Sequence, residues 1–218
     1  MSISKVSEGI YRYKGKYYTL NRFPGTTHHG EQTIEDNSKE YRHWDPYRSK
    51  LGSFLKKTGY LPITDETCIL YLGAGDGTTV SYLSDVIRSG NIYAVEFSSR
   101  PYQNLLELSY LRNNVFPILA DAREPENYSD MVPKVDVLYQ DIAQRDQGEI
   151  FVGNLKYLKK GGTTMLAVKS RSIDVSQRPK EIYQKTEKIL KKSGIEIIDF
   201  VDIGRWQKDH GIFLGKKE

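Results

Sequence analysis

The fold of this 218-residue chain is decided by the stretch CILYLGAGDGTT, residues 68–79. Its apolar first half predicts a buried strand, because five consecutive residues of this kind suit the interior of a parallel sheet. The glycines then predict a tight turn in which the backbone can approach a ligand closely. From Thr78 to Ile87 the apolar residues recur at helical spacing. The stretch therefore predicts a strand, a glycine-rich turn and a helix in immediate succession.

Strand and helix patterns alternate along the rest of the chain. Further strands are predicted at residues 92–95, 115–119, 135–139 and 163–168, and helices at 101–111, 149–158 and 179–192. Two strands, at 195–201 and 211–214, follow each other without a helix between them, so the last one is expected to be antiparallel. The pattern predicts an α/β fold with a mostly parallel, Rossmann-like sheet of seven strands.

The first 46 residues follow a different pattern. Alternating residues on both sides of Lys14-Gly15 predict a β-hairpin, and a second extended pair is expected around residues 35–37. Residues 1–46 are therefore expected to form a small antiparallel β domain. A helix is expected soon after Pro46, since Leu51, Phe54 and Leu55 have helical spacing.

Composition excludes a few classes of protein but does not identify one. The chain is 38% hydrophobic, which favours a globular fold over disorder, and it carries a net charge of +4, which is weak support for a nucleic-acid partner. The absence of a signal core or a long apolar run predicts an intracellular protein without a membrane partner. The lone Cys68 excludes an internal disulfide, and no metal is expected at His28 and His29, which have no cysteines nearby.

Carboxylates follow three of the predicted strands. Glu96, Asp121 and Asp141 end the second, third and fourth strands after the glycine turn of residues 73–77 has ended the first. Ligands of open α/β sheets bind at these strand ends, and a carboxylate after the second strand can accept hydrogen bonds from ribose hydroxyls. The joint placement predicts a nucleoside site.

The glycine turn indicates which nucleoside is bound. Its third glycine, Gly77, comes two residues after Gly75, a spacing that differs from the dinucleotide pattern G-x-G-x-x-G. Asp76 would repel a pyrophosphate, whereas acidic residues suit the sulfonium cation of S-adenosyl-L-methionine. A methyltransferase is therefore favoured, and a nicotinamide-dependent oxidoreductase remains the alternative.

Several long motifs resemble fibrillarin-like RNA 2′-O-methyltransferases of the short, archaeal type. They are WDPYRSKL (44–51), YLGAGDGTT (71–79), YAVEFSSR (93–100), PILADAREP (117–125), DIAQRDQ (141–147) and AVKSRSID (167–174). The resemblance spans nearly the whole chain. The chain departs from it at Gly75-Asp76, where many relatives have Ala-Ser, and it has no Gly/Arg-rich N-terminal extension.

The resemblance implies a fold, a cofactor and a set of partners. The fold is the class I methyltransferase fold, formed by residues 47–218, and the cofactor is S-adenosyl-L-methionine. Implied contacts to the cofactor lie at Gly73, Gly75, Thr78, Thr79, Glu96, Phe97, Asp121, Ala122, Asp141, Ile142, Ala143 and Gln144. The implied substrates are pre-rRNA and tRNA, selected by a box C/D guide RNA. The implied protein partners are a Nop-domain scaffold protein and a ribosomal-type kink-turn-binding protein.

The resemblance also implies a catalytic set of Lys50, Asp141, Lys169 and His210. Lys169 ends an apolar strand, so we expect a desolvated ammonium beside Asp141 that serves as base or orients the ribose hydroxyl. Lys50 and His210 are expected to position the substrate. Trp44 and Trp206 are interpreted as packing residues. The alternative from another class is a structural ribonucleoprotein subunit with a degenerate site.

Overall fold

The computed structural model describes residues 3–218, which contain two β-sheets and six α-helices. The strands of the N-terminal sheet are β1 (Ser4–Ser7), β2 (Ile10–Tyr13), β3 (Lys16–Leu20), β4 (Thr33–Asp36) and β5 (Lys39–His43). The strands of the second sheet are β6 (Ile69–Leu72), β7 (Ile92–Glu96), β8 (Val115–Leu119), β9 (Val135–Gln140), β10 (Leu158–Lys169), β11 (Ile195–Asp202) and β12 (His210–Lys217). The helices are α1 (Lys50–Thr58), α2 (Thr78–Val86), α3 (Ser99–Leu111), α4 (Gln147–Gly153), α5 (Ser170–Ile173) and α6 (Pro179–Lys192).

The seven-stranded sheet has the order β11-β12-β10-β9-β6-β7-β8. Strands β6 to β10 pair in parallel, and β12 runs antiparallel to both of its neighbours. The predicted α/β fold and its antiparallel last strand are confirmed. Because β12 runs in the opposite direction, its first residues lie at the edge where β9 and β10 end.

The N-terminal sheet is built from hairpins, as predicted. Lys14 and Gly15 connect β2 to β3, and Asn37 and Ser38 connect β4 to β5, with positive φ at all four positions. Two central residues with positive φ form the turn that matches the twist of a two-residue hairpin. Strand β1 was not predicted, because its short polar sequence carries no alternating hydrophobic signal.

Several elements of the α/β region differ from the predicted ones: α5 was not predicted, and the last strand, expected at 211–214, spans His210–Lys217. The helix expected at residues 149–158 starts earlier, as α4, and continues as a single 3₁₀ turn at Asn154–Tyr157. The strand expected at 163–168 begins at Leu158, and its pairing with β9 shifts register between Leu158 and Thr163. Gly161 and Gly162 lie within this irregularity.

The N-terminal sheet packs on α2 through buried charged groups. The Arg42 guanidinium pairs with Glu31 at 2.7 Å and with Asp85 at 3.2 Å. Asp85 also accepts from Arg112 at 2.7 Å and from the Thr19 hydroxyl at 2.8 Å. Burial raises the pKa of Glu31, but the Arg42 charge and backbone N–H donors outweigh it and hold that pKa at about 2. Removing one partner of such a buried ion pair destabilises the fold, because the other charge is left buried without compensation.

Both parts of the chain also contribute to one hydrophobic core. Ile10, Tyr17 and Trp44 lie in the same buried cluster as Val86 and Leu51. The division of the chain at residues 46 and 47 stays a prediction. Among residues 3–218, no helix has the length and hydropathy needed to cross a membrane.

Candidate active site

The turn after β6 brings the backbone against the neighbouring strand end. A Cβ atom at Gly73 would lie 2.5 Å from the carbonyl oxygen of Asp141, so only glycine fits there. Gly75 adopts a φ of 60°, and nothing lies within 4 Å of where its Cβ would be. The turn is therefore closed towards β9 and open towards the strand ends, as a ligand cradle requires.

Asp76 precedes Gly77, the N-cap residue of the helix after the turn, and its side chain forms a local turn with the first helical residue. Its Oδ1 atom accepts from the Thr78 backbone N–H at 3.0 Å and from the Thr78 hydroxyl at 2.8 Å. A carboxylate at a helix N-terminus is stabilised by the helix dipole. It also occupies a donor that a pyrophosphate would use and repels a second anion, so the dinucleotide alternative is disfavoured.

Glu96 joins the glycine turn to the end of β7. Its side chain is 9% exposed, and its two oxygens accept from the Gly75 N–H at 2.9 Å and the Ser98 N–H at 2.7 Å. Phe97 beside it is 64% exposed, which excludes a role in core packing. The hydrogen-bonded carboxylate of Glu96 next to the exposed ring of Phe97 suits a nucleoside, because the ribose donates hydrogen bonds and the base stacks on aromatic rings.

Asp121 lies at the end of β8, where it was expected, but its carboxylate is already paired. The Arg123 guanidinium and backbone N–H donate to it at distances from 2.6 to 3.1 Å, and the side-chain hydrogen bonds lower the pKa of Asp121. The four contacts from Arg123 already use the roughly four lone-pair sites of a carboxylate, so an exocyclic amine would bind Asp121 by displacing one of them.

The twelve residues implied as cofactor contacts all line two adjoining cavities of about 290 Å³ each. Glu96, Phe97, Asp121, Ala122, Ile142, Ala143 and Gln144 line the first cavity, Thr78 and Thr79 line the second, and Gly73, Gly75 and Asp141 line both. The structure therefore brings the whole predicted set to one edge of the sheet. Their contacts with a cofactor stay a prediction.

Lys50 reaches this edge from outside the sheet. It is the first residue of α1, whose N-cap Ser49 accepts from the Gly52 N–H at 3.1 Å. The Trp44 indole donates to the same hydroxyl at 3.0 Å, which fixes the start of the helix. The Lys50 Nζ atom contacts both oxygens of Asp141, at 2.7 and 2.9 Å.

Trp44 is fully buried and stacks on Tyr82, which confirms its interpretation as a packing residue.

Lys169 and His210 come from neighbouring strands. They face each other in the antiparallel register of β10 and β12. The His210 Nδ1 atom lies 2.7 Å from the carbonyl oxygen of Lys208. Burial lowers the pKa of His210, and the Lys50 and Lys169 charges add to that lowering. The imidazole is therefore neutral near pH 7, with Nδ1 as donor and Nε2 left with a lone pair.

Two expectations about Lys169 are wrong. Its side chain is exposed, because the strand ends there and the chain turns into α5 without covering it. Among residues 3–218, the ion pair of Asp141 forms with Lys50 and not with Lys169. Lys169 is thus an exposed cation at the mouth of the site, and it is close enough to His210 for its charge to lower the pKa of His210.

The sequence analysis missed a buried amide that joins the loop after β9 to Lys169. The Gln147 Oε1 atom accepts from the Lys169 N–H at 3.0 Å. Its Nε2 atom donates to the Gln144 carbonyl at 2.6 Å and the Lys169 carbonyl at 3.2 Å. The Gln140 amide donates to the Gln147 carbonyl at 2.7 Å. Gln147 closes the motif DIAQRDQ, but the apolar helical pattern had placed the start of the helix at Glu149.

The sheet order with its one antiparallel strand, the glycine turn and the carboxylates at successive strand ends define a class I methyltransferase. Within that class, the chain belongs to the Fibrillarin family, whose sequence profile matches residues 2–218.

Individual relatives are similar over their whole length. The chain is 42% identical to the fibrillarin-like rRNA/tRNA 2′-O-methyltransferase of Methanosarcina acetivorans, over 99% of both chains. Its structure matches Aeropyrum pernix fibrillarin with natively bound S-adenosyl-L-methionine, with a TM-score of 0.88, 40% identity and coverage of 99% and 98%. It also matches a fibrillarin/Nop5p complex, with a TM-score of 0.90, 36% identity and coverage of 97% and 99%.

Proposed function

We propose that this protein transfers the methyl group of S-adenosyl-L-methionine to the ribose 2′-hydroxyl of RNA. The observation that carries the proposal is the convergence of Lys50, Asp141, Lys169 and His210 at one edge of the sheet, beside the nucleoside cavity. The curated relative from Methanosarcina acetivorans is named for this activity on rRNA and tRNA, and these are the proposed substrate classes.

The cavity residues fit the cofactor group by group. Glu96 is placed to accept from the ribose hydroxyls, and the exposed Phe97 to cover one face of the adenine. In this proposal Asp121 and the backbone at Ala122 bind the base edge, and Thr79 and Gln144, which line the two cavities, bind the methionine end. Asp141 lines both cavities, which suits a carboxylate near the sulfonium. S-adenosyl-L-methionine supplies an electrophilic methyl group when bound.

The catalytic groups then act on the substrate hydroxyl. The 2′-oxygen must form a bond to the methyl carbon as the bond from that carbon to the cofactor sulfur breaks, with S-adenosyl-L-homocysteine as the leaving group, while the 2′-hydroxyl proton leaves to a nearby base. The neutral His210 imidazole and the Asp141 carboxylate are the acceptors at hand. Lys50 holds Asp141 in place, and the exposed Lys169 ammonium stabilises the negative charge that develops on the oxygen.

This assignment modifies the role expected for Lys169. An ammonium has no lone pair with which to accept a proton, but it is a good partner for an alkoxide or a phosphate. The four residues argue against the alternative of a structural subunit with a degenerate site, because all of them are present at one edge of the sheet.

We further propose that targeting is delegated to partners. A solved relative forms a complex with Nop5p, which supports a Nop-domain scaffold as the protein partner. The sequence contains no RNP-type aromatic platform for reading bases, which favours a box C/D guide RNA and a kink-turn-binding protein as the remaining components.

The test is methyl transfer from labelled S-adenosyl-L-methionine to a target RNA, with and without the guide RNA and the two proteins. We expect site-selective transfer only in the assembled complex. Selective methylation by the isolated protein would contradict delegated targeting, and an inactive complex with intact cofactor binding would contradict the proposed enzyme.

A further inference from the structure

A separate cavity of about 490 Å³ lies between the N-terminal sheet and the start of α1. It is distinct from the nucleoside cavity, and its walls combine cationic and aromatic side chains. The residues on which the inference depends are Lys16, Tyr47, Arg48, Lys56 and Trp206. Trp206 had been interpreted as a packing residue, but it is only partly buried and forms part of this wall.

Arg48 connects this cavity to the active site. It lines the 490 Å³ cavity and also the cavity at the glycine turn that contains Asp141. Lys50, which pairs with Asp141, is two residues further along the chain. A polymer that places one of its units at the catalytic residues can therefore extend past Arg48 into the 490 Å³ cavity.

The charge of the cavity is positive. Lys16, Arg48 and Lys56 contribute three cations, of which Lys16 also donates to the Gln32 side chain at 3.3 Å and Lys56 to the Gly15 carbonyl oxygen. Of the two acids in the wall, Glu31 is buried in its ion pair with Arg42, and Asp45 accepts from the Tyr47 N–H at 2.9 Å. Within residues 3–218, Arg48 makes no ion pair and no side-chain hydrogen bond, which leaves its guanidinium free for a ligand.

The segment that presents Tyr47 and Arg48 is fixed at its backbone. The Gln207 amide donates to the carbonyl oxygens of Pro46 at 3.0 Å and Tyr47 at 2.9 Å, although it is 160 residues away in sequence. The Tyr47 side chain is nevertheless 65% exposed. Because the backbone of this segment is already fixed, binding has to order only the side chains. The entropic cost of binding is therefore lower than for a mobile loop.

We propose that this cavity binds the ribose-phosphate backbone of the RNA strand next to the methylated nucleotide. Arg48, Lys16 and Lys56 bind phosphates, and the rings of Tyr47 and Trp206 pack against sugar or base faces. RNA is favoured over an acidic protein segment because the cavity adjoins the catalytic groups and offers flat aromatic surfaces beside its cations. The inference rests on the proposed RNA methylation.

The test compares Arg48→Gln, Lys16→Gln and Tyr47→Ala in the assembled guide complex. Methyl transfer is measured at several target-RNA and salt concentrations. We expect Arg48→Gln to raise KM for the target RNA about tenfold and to lower the salt dependence of binding by about one charge. Tyr47→Ala should raise KM without changing the salt dependence. Lys188→Gln is the matched control, since this exposed lysine on α6 lies outside the cavity.

The outcomes separate the possible explanations. An unchanged KM in all three variants, or an equal rise in Lys188→Gln, would overturn the proposed RNA site. Loss of binding between this protein and its protein partner, measured without guide or target RNA, would show that a protein segment binds here instead, which also overturns it. If the parent complex transfers no methyl group, the proposed function itself has failed, and RNA crosslinking to Tyr47 still tests the cavity.

Discussion

Replacing Glu96 with glutamine should weaken S-adenosyl-L-methionine binding more than any other single amide substitution at the cavity. The carboxylate serves two purposes, because it accepts from the Gly75 and Ser98 N–H groups and presents its remaining lone pairs to the cavity. A glutamine has only one acceptor oxygen. Its amino group would face one of the two backbone donors and leave that donor unsatisfied.

The magnitude follows from these contacts. Hydrogen bonds to a charged group contribute about 1.5–3 kcal/mol each, and the ribose hydroxyls lose at least one of them. A loss of about 2 kcal/mol corresponds to roughly 30-fold weaker binding. The mispaired backbone donor should cost a further ~1–3 kcal/mol of folding stability, even without cofactor.

Calorimetric titration measures the first effect, and thermal unfolding without cofactor measures the second. Glu107→Gln is the matched control, because this exposed glutamate on α3 lies outside the nucleoside cavity and should leave cofactor binding unchanged. If Glu96→Gln bound S-adenosyl-L-methionine as tightly as the parent, the assignment of this cavity to the nucleoside would be refuted.

Three further predictions concern the catalytic residues and the buried ion pairs. Lys169→Ala should bind cofactor normally but lower single-turnover methyl transfer by about 10²–10³, the usual loss of one group that stabilises an oxyanion; a rate within a few-fold of the parent would remove Lys169 from the mechanism. Burial lowers the pKa of His210, so the unfolded chain takes up its proton at a higher pH than the folded one, and stability should fall as the pH drops below about 6.5. Urea unfolding at several pH values should show a weaker pH dependence for His210→Gln, and an identical dependence would contradict the burial argument. Asp85→Ala leaves Arg112 without its buried carboxylate and Arg42 with Glu31 alone, and should cost about 3–5 kcal/mol of unfolding free energy, measured by urea denaturation; a cost below about 1 kcal/mol would show that the network is dispensable.

The order of elements could be predicted from the sequence because the strands β6 to β9 are short apolar runs, each followed within two residues by a glycine or an acid or ending in one, and β10 contains an apolar run before Lys169. The strand at 68–72 and its glycine turn show this most clearly, since burial and backbone geometry leave few alternatives. The boundaries near residues 149–162 could not be predicted. There the helical pattern ends in a 3₁₀ turn and a strand with shifted register, and tertiary pairing decides where each begins.

The members of the site could be predicted, but not all of their contacts. The strand-end acids were placed correctly, because parallel strands bring their carboxyl ends to one edge. The partner of Asp141 was not, since Lys50 reaches it from a helix 91 residues earlier in the chain. Sequence spacing carries no information on such a contact. The exposure of Lys169 depends on the direction of the chain after β10, which the apolar strand pattern does not encode.

The most direct test of the central claim uses a target RNA with a single 2′-deoxy nucleotide at the methylation site. In the assembled guide complex, the all-ribose target should accept one labelled methyl group at that nucleotide, and the 2′-deoxy target should accept none. Equal labelling of the two RNAs would contradict the account, because it would place the methyl group on a base or another atom and not on the ribose 2′-oxygen.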